Sequence, residues 1–108
     1  MNIPDERIEK ALRFLTETDE AYGELKGRKA GIEHRLKVCK AVESLKSGGK
    51  SMAECEALAL SSEPYQAMVN DYEGVCIDLE TIGAKRKKEE LVIEVWRSVG
   101  ANRRSGQI

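Results

Sequence analysis

Chemistry in this chain would have to come from one histidine, three cysteines and a few close carboxylates. His34 has no Cys, Ser or Asp at a spacing that builds a nucleophile and its base. Glu54 and Glu56, like Asp78 and Glu80, stand two apart. Residues two apart do not share a helix face, so these pairs are poor at acid–base work or at holding a metal. Three cysteines without CxxC spacing fit a reducing cytosol. Cys39 and Cys76 read as small core residues, and Cys55 has no assigned role. No phosphate-binding glycine loop follows a strand, and no strand pattern is present. The expectation is a protein that is not an enzyme and has neither a metal nor a cofactor.

Two other patterns are more informative. The first is basic: "GAKRKKEE" supplies Lys85, Arg86, Lys87 and Lys88, and "WRSVGANRRSG" adds Trp96, Arg103 and Arg104. These six cations are the candidate phosphate contacts, and Trp96 could stack on a base. Alternatively they form a solvated face that pairs with Asp19, Glu20 and Glu24, and the register predicts that Trp96 packs on Phe14 and Leu15. A net charge of −1 excludes a strong polyelectrolyte binder as a single chain. The second pattern is "GELKGRKAGIEHRL", with Gly23, Gly27 and Gly31 at steps of four. Each glycine inside a helix costs about 1 kcal/mol against alanine, so three a turn apart call for a reason.

Helix signals run almost end to end. Pro4, Asp5 and Glu6 make a favourable first turn. Residues 1–47 then read as one long helix or two with a bend at 16–19. "KSGGKS" interrupts it. "SMAE" is a capping box that opens a short helix at 51–60. Ser61 or Ser62 caps a last helix over 62–99, with Pro64 in its first turn, and 100–108 reads as a flexible tail. The predicted fold is all-α: one domain over 1–108, a long antiparallel, coiled-coil-like helical hairpin with a short helix in its turn region, assembling into oligomers. At 34% charged residues, the chain suits long exposed helices. No long apolar run or leader sequence is present, so the expected setting is the cytoplasm, away from membranes.

Charge supports the hairpin. Residues 1–25 carry three basic and seven acidic groups, and 26–50 carry eight and two. Residues 51–84 carry seven acidic groups and no Lys or Arg, and 85–108 carry seven basic and three acidic. A fold-back near residue 55 lays each block against one of opposite sign. Helical geometry then gives the first long helix two stripes. Tyr22, Leu25, Lys29, Ile32, Leu36 and Cys39 face Met68, Tyr72, Val75, Leu79 and Ile82 across the seam. Gly27, Gly31, His34, Val38, Ala41 and Leu45 lie roughly 150–180° away, with Gly23 close by. A helix with two such stripes has two partners. The short helix is expected to cover the Ala41–Leu45 end. Gly23, Gly27, Gly31, His34 and Val38 are left for a second copy of the chain, small residues allowing close approach; a hinge or a loosely formed helix is the alternative.

The run "SSEPYQAMVNDYEGVCIDLETIGAKRKKEELVIEVWRSVGANRRSG" resembles the C-terminal helix of UvsY-type phage recombination mediators. It is similar also to small phage proteins encoded near recombination genes. The likeness rests on Tyr65 and Tyr72, apolar residues from Val75 to Ile82, the basic turn at Arg86, then Ile93, Trp96, Arg97, Ala101 and Gly106. It implies a ring of helical hairpins that binds single-stranded DNA and loads a recombinase in place of a single-strand-binding protein. The acidic stretch 51–84 departs from that pattern, so weak, salt-dependent DNA binding is expected. The alternative is a non-enzymatic interaction module that inhibits a host nuclease or defence complex, its acidic stretch imitating a phosphate backbone.

Overall fold

The computed structural model describes residues 2–106 and consists of three α-helices: α1 (Asp5–Lys46), α2 (Met52–Leu60) and α3 (Glu63–Gly106). The fold is an all-α helical hairpin in which α1 and α3 are the long arms. α1 is one continuous helix, with no break at 16–19. The Pro4 carbonyl accepts from the amides of Arg7 and Ile8, and Asp5 and Glu6 place negative charge at the positive end of the helix dipole.

The turn residues stop α1 through backbone geometry. Gly48 has φ +72°, a left-handed conformation that glycine adopts without the penalty other residues face. Gly49 is required for a different reason. A Cβ there would stand 2.8 Å from the Cys55 amide nitrogen, so only a hydrogen lets the turn lie against α2. Ser51 Oγ then accepts from Glu54 N at 3.1 Å. The Glu54 carboxylate reaches back to accept from Lys50 N at 3.3 Å, one residue earlier than in the usual reciprocal box. At the far end of α2, Ser62 rather than Ser61 caps α3: its Oγ accepts from Tyr65 N at 3.4 Å and donates to the Ala59 carbonyl at 2.7 Å. Ala59 is fully buried at this corner.

Packing divides into two units, Met1–Gly23 with Glu80–Ile108, and Glu24–Leu79. In the first, Ile8 and Ala11 are buried, and Arg7 forms a two-pronged pair with Glu89 at 2.6 and 3.0 Å. In the second, Ile32 is buried, with Leu25, Lys29, Leu36 and Cys39 half-buried on its stripe. Met68, Tyr72, Val75 and Leu79 are half-buried on α3. Tyr72 Oη donates to Glu33 at 2.8 Å, and Lys40 pairs with Glu56 at 2.6 Å. The three cysteines are half-buried and free.

Two expectations about the elements need correction. α3 does not give way to a tail at residue 100 but stays helical through Gly106. The expectation for residues 107 and 108 lies outside the described residues. Nor does α2 cover the end of the second stripe: Ala41 is exposed and Leu45 is 89% exposed. The nine residues of α2 turn Ala59 inward and leave Met52 and Leu58 outside.

Candidate nucleic-acid interface and assembly face

The six candidate cations separate into different environments. Arg86 lies in the seam, its side chain only 11% exposed. It donates to the Leu15 carbonyl at 2.8 Å, to Thr18 Oγ1 at 2.7 Å and to Asp19 at 3.2 Å. Its guanidinium also stands 4.9 Å from the centre of the Tyr22 ring. Arg86 is therefore withdrawn from the candidate phosphate contacts. It fills an apolar seam position because the facing turn of α1 offers a carbonyl, a hydroxyl and a carboxylate to its planar fork.

Lys85, Lys87, Lys88, Arg103 and Arg104 are exposed, but α3 does not point them one way. Eighteen residues are five turns, so Lys85 and Arg103 share an angular position about 27 Å apart, and Trp96 falls within about 20° of both. Lys88 lies about 60° to one side, while Lys87 points nearly opposite and Arg104 lies about 100° off. Lys85, Lys88, Trp96 and Arg103 thus form one strip. α1 adds a residue that sequence reasoning overlooked. The Glu89 carboxyl is held below the ordinary range first by its hydrogen bond from Arg7, then by the charges of Arg7, Lys88 and Lys10, against the opposing effect of burial. Lys10 of α1 thus comes within electrostatic reach of Glu89, as Lys88 does. The register of α1 on α3 was the signal that could have found it.

Trp96 is 41% exposed. It lines a groove of about 910 Å3 with Ile3, Pro4, Arg97, Arg103 and Arg104, where Asp5 supplies a carboxylate. Arg103 donates to Asn2 Oδ1. The expected packing of Trp96 on Phe14 and Leu15 does not fit this register. Leu15 bonds Arg86, and Trp96 lies ten residues, about 15 Å, further along α3.

The second stripe is open within the chain. Gly23, Gly27, His34 and Val38 are exposed and Gly31 is half-exposed. A Cβ on Gly23 or Gly27 would have no neighbour within 4 Å, and one on Gly31 would meet only the Arg35 guanidinium of the same helix, at 3.3 Å. Among the described residues no group of three His, Cys, Asp or Glu side chains is placed to hold a metal ion, and no helix is long and apolar enough to cross a membrane. Comparison with known proteins finds no matching family model, no matching curated protein and no solved structure that matches.

Proposed function

We propose that this chain is a DNA-recombination accessory protein of the phage mediator type. It acts without catalysis, associates with copies of itself in the cytoplasm and binds single-stranded DNA weakly. Its protein partner is a recombinase or a single-strand-binding protein. The observation that carries the reading is the strip of Lys85, Lys88, Trp96 and Arg103. A half-exposed indole among cations offers a base a stacking surface and its phosphates a row of positive charge. The uncovered face of Gly23, Gly27, Gly31, His34 and Val38 supports self-association, which repeats the strip and offsets its small charge in one subunit.

Single-strand binding measured over a salt series tests the reading. Lys88→Ala with Arg103→Ala should weaken binding and lower the log–log salt slope by about 1.4, at about 0.7 per lost phosphate contact. Lys87→Ala, on the far side of α3, should leave affinity nearly unchanged. No binding at low salt, or equal effects of the two variants, overturns the DNA assignment.

A second reading, an interaction module that imitates a phosphate backbone, is favoured by one observation. Glu54, Glu63, Asp71, Glu73, Asp78 and Glu80 are all exposed in a stretch without Lys or Arg. Reversing Asp71, Glu73 and Asp78 to lysine separates the two readings. It strengthens single-strand binding under the first and abolishes inhibition of the target nuclease under the second.

A further inference from the structure

α2 approaches the last turns of α1 without closing onto them. Between them runs a groove of about 830 Å3, lined by Lys37, Ala41, Leu45, Lys50, Met52 and Cys55 among others. Leu45 and Met52 are 89% and 90% exposed. Neither stands on a loose end. Leu45 lies in the last turns of α1, just before the Gly48 turn, and Met52 opens α2 immediately after its Ser51 cap. Two large apolar side chains held at fixed positions beside a concavity form a surface suited to a partner. Met52 adds a side chain that adjusts to the shape laid against it.

The charge of the rim selects the partner. Glu56 is taken up by Lys40 at 2.6 Å, and Glu54 does not line the groove. Lys37 and Lys50 remain exposed on the lining, with exposed Lys46 at the end of α1. The block 26–50 that forms the α1 wall carries eight basic residues and two acidic ones.

We propose that this groove docks an acidic amphipathic helix of another protein. Apolar side chains one turn apart on that helix enter between Leu45 and Met52, and flanking carboxylates meet Lys37 and Lys50. Docking of an apolar helix face into such a groove is a recurring mode of recognition. The site shares no residue with the DNA strip, so the two assignments fail separately.

The test uses the full chain and a fluorescein-labelled synthetic 15-residue helical peptide with leucines at i, i+4 and i+8 and glutamates on its other faces. Fluorescence anisotropy should show saturable binding that weakens with salt. Leu45→Ala and Met52→Ala should each weaken it about threefold to tenfold, and Lys37→Glu with Lys50→Glu about tenfold. All four positions are exposed, so circular dichroism should show the variants unchanged in helix content. Failure of the peptide to bind overturns the proposal. So does equal binding of a peptide with lysine for every glutamate, or unchanged affinity in the variants. If Leu45→Glu with Met52→Glu lowers the mass of the peptide-free protein in light scattering, a second copy fills the groove and the proposal also falls.

Discussion

Arg86 shows how one residue changes meaning between sequence and structure. In the sequence it stands among four consecutive cations, read either as a phosphate contact or as a partner of Asp19, Glu20 and Glu24. In the hairpin it donates to Leu15, Thr18 and Asp19 and covers the Tyr22 ring. The pairing with Asp19 was legible from the charge blocks, but the Leu15 carbonyl and Thr18 hydroxyl were not, because they lie about seventy positions away and are chosen by register. Arg86→Ala should destabilise the hairpin by about 2 kcal/mol in urea titration, the scale of hydrogen bonds to a charged group. Arg86→Lys should recover only part of that, since a point charge cannot repeat the fork; it does remove a buried Nε that has no partner among the described residues. An unchanged midpoint for Arg86→Ala would contradict this role. Two further residues carry pH signatures. The Tyr72 hydroxyl is pushed up to about 12, first by its hydrogen bond to Glu33 and then by desolvation. Raised in the folded state, it contributes stability that is complete below pH 10 and lost as pH rises toward 12. In a tyrosinate absorbance titration Tyr72 should therefore ionise late, and Glu33→Gln should bring it forward. Glu89 is shifted the other way. Its contribution is complete above the ordinary glutamate range and lost as pH falls through its depressed folded value. Glu89→Gln should accordingly flatten the acid limb of a stability–pH profile.

At the scale of elements, the helices and their ends around the turn were legible because their causes are local. Ser51, Glu54, Ser62, Gly48 and Gly49 act within a few residues of themselves, and caps and turns are written at that range. The seam from Leu25 to Cys39 was legible because its period of three and four is a property of one helix. What failed needed the register of one arm on the other. Trp96 falls beside residues 2–5 rather than Phe14, and Lys10 comes within electrostatic reach of Glu89. α3 continues to Gly106, where Arg103 finds Asn2. The glycines of α1 allow a direct test. With open space at Gly23 and Gly27, alanine at either should raise the stability of an isolated hairpin by up to about 1 kcal/mol. If the same face joins two chains at close range, the two alanines should also lower the associated mass in light scattering. A rise in stability with no change of mass would leave the glycine face outside the interface. Gly48→Ala should cost about 1 kcal/mol, because the left-handed turn must then carry a Cβ.

At the scale of the whole molecule, few apolar residues are buried among the described ones: Ile8, Ala11, Ile32 and Ala59. Leu12, Val38, Leu45, Met52, Ile77 and Leu91 are among the large apolar side chains left exposed. A chain of 108 residues with so small a core gains stability from whatever binds only its folded state. Under the self-association reading, its melting temperature should rise with protein concentration. Val38→Asp should abolish that rise by placing a charge at the contact. A melting temperature independent of concentration over two decades would count against assembly. The alternating charge blocks favour antiparallel arms but cannot tell whether both arms come from one chain. That distinction falls to the turn, where Gly48 takes a left-handed conformation and Gly49 lets the chain lie against Cys55. Straightening this corner, for example with Gly48→Glu and Gly49→Glu, should release α3 to exchange with the α3 of a neighbour. The product would be an interlocked dimer with the same Arg7–Glu89 and Arg86–Asp19 pairs, now made between chains, so a few backbone angles would decide whose arm each chain holds.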